Sequence, residues 1–329
     1  MFAKRLEAIW YADDPLGLVL LPASWVYRGI ASVRRAAFVS GLFASRGLPV
    51  PVIVVGNIVA GGTGKTPLVL WLVDYLRKHG KKPGILVRGY KGKASHWPQQ
   101  IRADSDPIAV GDEAVLLARR SGCPVVAGPD RVAAAEALLE HKDCDILISD
   151  DGLQHLKLKR DVEIAVVDGV RRHGNGHFLP AGPLREPVGR LDSVDLIVAN
   201  GPAMRGEFPM SLVPGPAHSL RDSSVCRDLE SFQGEQIHAV AGIGNPSRFF
   251  EDLRRAGLKV QAHPFPDHHD FDATDIHFED DAAVFMTEKD AVKCQRFAQD
   301  RHWFVPVEAD VHPQLGERLS TLLGINAHG

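Results

Sequence analysis

The sequence predicts an α/β protein: a parallel sheet covered by helices on both faces, a second and smaller α/β unit after it, and an amphipathic helix before it. Three observations carry this. From about Val50 to Asn200, short apolar runs alternate with helix-length amphipathic segments, as a parallel sheet requires because its crossover helices must cover both faces. Between Gly201 and Gln236 the texture becomes dense in Pro and Gly with little periodicity, as in "GPAMRGEFPMSLVPGPAHSL". After that stretch a second α/β rhythm begins. The expected organisation is an N-terminal helical segment over 1–40, the larger domain over 41–205, a linker over 206–236 and the smaller domain over 237–329.

The elements follow in chain order. "PLGLVLLPASWVY", Pro15 to Tyr27, is almost wholly apolar and follows Asp13 and Asp14. It lacks the basic leader and small-residue cleavage site of a signal peptide. It is shorter than the ~20 residues a spanning helix needs, and Pro22 is expected to interrupt it. Beyond it Arg28, Ser32 and Arg35 share one helical stripe and Ile30, Val33 and Ala37 another. Apolar residues with Trp25, Tyr27 and a basic flank suit a helix lying in a membrane interface; a helix packed on its own domain is the alternative reading. Strands are expected at Val52–Val55, Ile85–Val87, Val125–Ala127, Ile146–Ile148, Val162–Val167 and Val194–Ala199. Helices are expected at Pro67–Lys78, where proline opens and Gly80 stops the helix, and at Arg131–His141, rich in helix formers. The second rhythm reads as strand Ile237–Ala241, helix Ser247–Ala256, strand Ala282–Met286, a helix after Asp290 and strand Phe304–Val307.

Composition narrows the class without naming a partner. The 329 residues are 45% hydrophobic and 24% charged, a soluble-type balance with room for two domains. A net charge of −3 lacks the basic excess of phosphate-backbone binders, so no nucleic-acid partner is expected. Cys123, Cys144, Cys226 and Cys294 include no C-x-x-C pair, which suggests neither a disulfide framework nor a thiolate zinc site and fits a reducing cytoplasm.

The most specific motif is Gly61-Gly62-Thr63-Gly64-Lys65-Thr66, set between an expected strand and an expected helix. Glycines there let backbone N–H groups converge on phosphate oxygens, and the helix N-terminus adds its dipole. Lys65 reaches the β- and γ-phosphates, and Thr66 ligates Mg²⁺. Val59 stands where the general P-loop pattern has its first glycine. Gly-rich turns after strands are also common structural devices, but the Gly-Lys-Thr ending in this context sets this one apart. A metal-holding carboxylate is expected at a neighbouring strand tip, and "DILISDDGLQH" supplies Asp150 and Asp151. The fold class is therefore a P-loop NTPase-type domain that takes a nucleoside triphosphate and Mg²⁺. Gly242-Ile243-Gly244 does not continue into a dinucleotide fingerprint and reads as a turn.

A phosphoryl acceptor with a hydroxyl needs a carboxylate or imidazole beside it and positive charge around the phosphoryl group. Asp112 of "GDEAVLLA", His268 of "FPDHHDF" and Arg185 of "GNGHFLPAGPLREP" are chemically suitable, and composition does not rank them. "TEKDAVK", from Thr287, has no role in nucleotide binding.

The ordered set "VGN", "GGTGKTP", "RGY", "GDEA", "GPDR", "DDGLQH", "RDVEIAVVD", "LPAGPLREP", "FPDHHDF" and "TEKDAVK" resembles the tetraacyldisaccharide 4′-kinase family of Gram-negative bacteria, from Val55 to Lys293. That family also lacks the first P-loop glycine. The resemblance implies ATP as the triphosphate and phosphorylation of the 4′-hydroxyl of an acylated glucosamine disaccharide 1-phosphate at the cytoplasmic face of the inner membrane, with peripheral attachment. It implies Asp112 as general base tuned by His268, Asp150 and Asp151 as the Walker B pair, Gln154 as a catalytic-site glutamine and Glu186 as a further acidic residue at the metal and phosphates. It also favours the interfacial reading of the N-terminal helix; no obligatory protein partner is evident. A membrane-associated ATPase switch with a deviant P-loop would carry a lysine where Ala60 stands. A GTPase would separate the lysine and aspartate that "TEKD" sets side by side. A zinc site on His263, His268, His269 and His277 lacks metal-ligand spacing.

Overall fold

A computed structural model describes residues 2–12 and 14–325, with the side chains of 2–6 left out. Met1, Asp13 and 326–329, parts of the first and last expected segments, lie outside the described residues. Helices α1 (Phe2–Tyr11) and α2 (Leu16–Val39) lead into strand β1 (Val52–Gly56), α3 (Lys65–Lys78), β2 (Pro83–Val87), β3 (Gln99–Ile101), α4 (Pro107–Val110) and α5 (Asp112–Ser121). Then come β4 (Val125–Ala127), α6 (Arg131–His141), β5 (Ile146–Ser149), β6 (Val162–Asp168), β7 (Leu196–Asn200), β8 (Phe208–Pro214), β9 (Ala217–Ser219) and β10 (Cys226–Arg227). The chain continues through β11 (Gln236–Ala241), α7 (Pro246–Arg255), β12 (Lys259–Pro264), β13 (Ala283–Thr287), α8 (Glu288–Cys294), β14 (His302–Val305), β15 (Val307–Val311) and α9 (Pro313–Leu323).

Two sheets organise the described residues. The larger runs β15-β8-β7-β6-β1-β5-β2-β4-β3 and the smaller β10-β9-β14-β13-β11-β12. From β8 to β4 the large sheet is parallel, and only its outer strands β15 and β3 are antiparallel. Its inner strands β1, β2, β4, β5 and β6 are buried on both faces, which is why they read as continuous apolar runs. Within β1, Ile53 and Val55 join one core with α3, while Val52 and Val54 join the opposite core with α6. Strand β1 lies between β5 and β6, so the loop leaving it opens at the strand tips beside the loop leaving β5, where open α/β sheets collect ligands.

Two expectations about organisation differ from what the chain does. The stretch 206–236, expected as a linker, holds β8, β9 and β10, and the smaller sheet does not keep the whole of 237–329: β15 pairs with β8, while Leu315 and Leu319 of α9 complete the core over α3. "VEADV" shows the reason, since its alternation buries one face of a short outer strand that follows Pro306 directly, without a turn signal between it and β14. Pro22 also does not interrupt the N-terminal segment. α2 runs through it for 24 residues, long and apolar enough to cross a membrane by length and composition, because the contacts that dock its inner face offset the bond that Pro22 removes and the clash of its ring with the preceding turn.

The inner face of α2 is docked along its length. Gly17 and Ser24 are buried; Ser24 Oγ donates to Phe178 O at 2.7 Å and accepts from Ala181 N at 3.0 Å. Tyr27 reaches Arg185 O at 3.5 Å, Arg34 Nη1 donates to Gln154 O at 3.1 Å, and Arg35 pairs with Glu186 at 3.4 Å. The opposite face presents Leu18, Val19, Trp25, Val26, Ile30 and Val33 to the outside, with Val19 74% and Val33 70% exposed. The helix is thus amphipathic with its apolar side outward.

The segment that meets α2 is tied to the sheet by a buried ion pair. Arg190 places Nη2 at 2.6 Å from both oxygens of Glu163 on β6 and Nε at 3.3 Å from Glu186. Arg160 adds a second cation to Glu163 at 2.8 Å. Removing one partner of a buried pair leaves its charge uncompensated. Arg190→Met should therefore destabilise the fold by about 3 kcal/mol, read as a lower urea midpoint at unchanged slope; a midpoint equal to that of the unaltered protein would show the pair to be neutral.

Candidate active site

The loop between β1 and α3 is shaped by glycine backbone and by two asparagines. Gly61 and Gly64 have φ of 108° and 96°, a region closed to most residues. Asn57 Nδ2 donates to Gly61 O and Thr63 Oγ1, both at 3.3 Å, and Asn200 Nδ2 donates to Thr63 O at 3.1 Å. The carbonyls are held from outside, and among the described residues no backbone acceptor takes the N–H groups of Gly61, Gly62, Thr63 or Gly64. α3 likewise starts without a side-chain cap. Free N–H groups converging on a helix N-terminus make an anion site. Thr63 takes part through its backbone, since its side chain is buried against Asn57.

Asp150 and Asp151 stand at the tip of β5. Asp150 is buried, its Oδ1 has no hydrogen-bond partner among the described residues, and burial followed by the nearby Glu113 charge pushes its pKa up to about 7. Asp151 sits in the left-handed region at φ 50°. Burial opposes its charge, but Lys65 Nζ at 3.3 Å and Arg185 Nη1 at 3.2 Å outweigh that and hold its carboxyl well below the usual range. Behind them Arg131, 2% exposed, donates to Gly128 O and Asp150 O, so it fixes the strand tip through backbone rather than by neutralising a carboxylate. No group of three or more His, Cys, Asp or Glu residues close enough to hold a metal ion occurs among the described residues. Mg²⁺ does not need one: it takes one or two carboxylates, keeps waters and leans on phosphate oxygens. The orphaned Asp150 oxygen, the ionised Asp151 and Thr66 in the first turn of α3 are hard oxygen donors that fit it.

Asp112 opens α5 in the larger unit, and His268 follows β12 in the smaller. Their side chains meet, with His268 Nδ1 at 3.1 Å and 3.2 Å from the two carboxylate oxygens. Burial opposes the Asp112 charge, but the His268 hydrogen bond, Lys289 and Lys293 overcome it and keep the group ionised far below its ordinary range. His268 is also left-handed, at φ 57°; its N–H donates to Gly242 O at 3.0 Å and its carbonyl accepts from Lys91 of the larger unit at 3.2 Å. The two units touch at the phosphate loop too. A Cβ on Gly244 would lie 2.8 Å from Gly62 N, and Arg248 on α7 donates to Asn200 Oδ1 at 2.8 Å.

Gln154 and Glu186 are bonded to each other. Gln154 Nε2 donates to Glu186 Oε1 at 2.7 Å and to Asn57 O at 3.0 Å, while the Glu186 carboxylate is shared with Arg35 and Arg190. Glu186, expected at the metal and phosphates, thus faces two arginines and an amide. Three of the four histidines weighed for zinc have separate side-chain partners: His263 pairs with His238, His269 with Asp275, and His268 with Asp112. Reading the sequence missed Asn200, Arg131, Glu113, Lys289 and Arg35. Lys289 lies in a motif that had been noticed; nothing in the sequence marks Asn200, which acts only because β7 ends beside the phosphate loop.

Comparison with known proteins agrees with this geometry. A family model described as tetraacyldisaccharide-1-P 4′-kinase matches residues 16–324. A tetraacyldisaccharide 4′-kinase of Nitrosococcus oceani is 54% identical over 98% of this chain and 95% of its own length, and one from Methylobacillus flagellatus is 49% identical over 97% and 95%. A crystal structure of LpxK from Aquifex aeolicus in complex with ATP superimposes with a TM-score of 0.79 at 28% identity, covering 94% of this chain and 99% of that one.

Lys65 and the loop amides are aimed at one anion site, so losing the Lys65 charge should cost on the order of 10²–10³ in turnover. Lys65→Ala should keep its melting temperature within a few degrees, since the side chain joins no hydrophobic core cluster and Asp151 keeps its pairing with Arg185. Near-normal phosphoryl transfer by that variant would remove the loop from the chemistry.

Proposed function

The chain belongs to the tetraacyldisaccharide-1-P 4′-kinase family, and on that premise we propose how its own residues carry the phosphoryl transfer. The reaction moves the γ-phosphate of ATP to the 4′-hydroxyl of a tetraacylated glucosamine disaccharide 1-phosphate, a step of lipid A biosynthesis that forms lipid IVA. The observation that carries the residue assignment is the Asp112–His268 contact, made by side chains of two units that the sequence separates by 156 positions.

Asp112 is the general base. As the hydroxyl oxygen bonds to phosphorus and the bond to the ADP oxygen breaks, Asp112 takes the hydroxyl hydrogen; a carboxylate so placed contributes on the order of 10²–10⁴ in rate. His268 orients it. Gly61, Gly62, Thr63 and Gly64 cradle the phosphates with backbone N–H groups, and Lys65 stabilises the charge on the moving phosphoryl group. Thr66, Asp150 and Asp151 would hold Mg²⁺, which when bound would supply positive charge to offset that of the phosphates. Gln154 and Glu186 act as a bonded pair that braces Asn57 and hence the loop carbonyls, and Arg185 supplies cationic charge at Asp151. The larger domain would comprise the nine-stranded sheet, to which β15 and α9 return, and the smaller one the six-stranded sheet, with closure between them bringing His268 to Asp112.

The protein rests on the cytoplasmic leaflet of the inner membrane as a peripheral enzyme, with the outward apolar face of α2 in the interface. Contacts from Gly17 to Arg35 support this over a span, since they hold about 27 Å of helix against the domain, at ~1.5 Å per residue.

Three outcomes test these roles. Purified protein with Mg-ATP and the disaccharide 1-phosphate should yield a bisphosphorylated product, and turnover of ATP without the lipid should stay low; rapid lipid-independent hydrolysis would favour the ATPase switch instead. Asp112→Ala, His268→Ala and the double variant should show similarly depressed turnover with ATP binding retained, because groups that act as a unit lose function non-additively; strictly multiplicative losses would separate them. Glutamate at Val19, Ile30 and Val33 should weaken partition onto anionic vesicles by more than about tenfold, since each side chain contributes ~1.5–3 kcal/mol when buried. Unchanged partition would place the lipid contact elsewhere.

A further inference from the structure

We propose that Lys289 fixes the hydrogen-bonding sense of the Asp112–His268 pair, donating from its ammonium to His268 Nε2 so that the ring carries its hydrogen on Nδ1 and directs it at Asp112. The proposal deepens, and rests on, the reading of Asp112 as the base. It also gives a role to "TEKDAVK", which nucleotide binding leaves unexplained.

The motif is built to hold a lysine in place. Thr287 Oγ1 accepts from Asp290 N at 3.2 Å and donates to Asp290 Oδ2 at 2.7 Å, which caps α8. Asp290 is fully buried and also accepts the Gly242 N–H at 2.9 Å. Gly242 O in turn receives the His268 N–H. The first turn of α8 and the loop that carries His268 are thus one bonded unit, and Lys289 projects from it toward the larger domain.

An ammonium has three hydrogens and no lone pair, so every close neighbour must be an acceptor. Lys289 Nζ lies 2.9 Å from Glu113 Oε1, 3.3 Å from His268 Nε2 and 3.5 Å from Asp267 Oδ1. Burial disfavours its charge, but the Glu113, Asp267 and Asp112 carboxylates more than offset this and hold the ammonium firmly protonated. A hydrogen on Nε2 would point at that cation. Asp267 Oδ1, an acceptor on that side, is 3.8 Å from Nε2, outside hydrogen-bond range, and already faces Lys289. At the far side of the ring Nδ1 faces an ionised carboxylate, which can only accept. Both ends of the imidazole therefore demand the same tautomer.

Other groups limit rotation without choosing the tautomer. The His268 backbone is held by Gly242 and Lys91, and Tyr90 lies 5.1 Å from the ring centroid. Lys293, 3.6 Å from Asp112 Oδ2 and 2.9 Å from Asp290 Oδ1, supplies charge to the carboxylate without bonding the ring. Lys289 is accordingly a positioning residue, acting on the base through His268.

The test is ring ¹⁵N spectroscopy of the full-length protein labelled at histidine, with His268 identified by the signals lost in His268→Gln. The unaltered protein should show His268 protonated at Nδ1 and bare at Nε2 at neutral pH. Lys289→Met should lose that preference and lower kcat roughly tenfold to hundredfold, as small misplacements of reacting groups do, with apparent ATP affinity unchanged within about twofold. Lys289→Arg should restore both signals. A hydrogen on Nε2 in the unaltered protein, or an unchanged ring spectrum in Lys289→Met, overturns the proposal; the first needs no variant to fold. Normal turnover by Asp112→Ala would instead overturn the base assignment and leave the tautomer result standing.

Discussion

A carboxylate withdrawn from water must find a cation or a donor, and the architecture around this site follows from meeting that demand several times within a small volume. Asp151 is met by Lys65 and Arg185, Asp112 by His268 with Lys289 and Lys293 nearby, Glu186 by Arg35 and Arg190, and Glu163 by Arg190 and Arg160. Asp150 is the exception. Its nearest charges include Glu113 and Asp151, one of its oxygens has no partner, and its pKa rises to about 7. Lys65 and Arg131 offset only part of that burial, which suits Asp150 to the divalent ion proposed for it.

These pairings tie together parts of the chain that have no other reason to stay adjacent. The residues supplying cations come from α2, α3, the loop before β7 and α8, so the charges at the strand tips act as fasteners between layers. Buried pairs contribute little net stability against apolar packing of the same volume. Their value here is that the arrangement has one satisfied geometry: Glu186 cannot shift without releasing Arg35, Arg190 or Gln154, and Gln154 in turn braces Asn57 under the phosphate loop.

Much of the fold was legible because a parallel strand buried on both faces leaves a continuous apolar run, as β1, β5 and β6 do. The phosphate loop and the aspartate pair were legible because their chemistry demands particular residue types at fixed junctions. Strand β15 was not, since its five residues alternate and follow β14 with no turn signal between. α2 was misread at Pro22 because the contacts that dock its inner face, from Ser24 to Arg35, offset the lost bond and the ring's clash with the preceding turn, and the local sequence does not show them. Lys289 and Asn200 were opaque for a different reason: each matters through where another element ends, and a tertiary coincidence of that kind has no periodicity to betray it.

The outward apolar face of α2 has a geometric consequence. A helix is about 10–12 Å across with its side chains. Its inner face bonds the segment at Phe178 and Ala181 and touches Arg185, which reaches Asp151. On the proposed seating of that outer side in the headgroup boundary, α2 would work as a ruler that sets the phosphoryl site roughly one helix width above the level where hydrocarbon begins. An acceptor sugar whose acyl chains stay in the bilayer would stand at about that height. Elevation would then select the acceptor: a soluble sugar arrives from three dimensions, whereas a lipid-borne one is already on the correct plane.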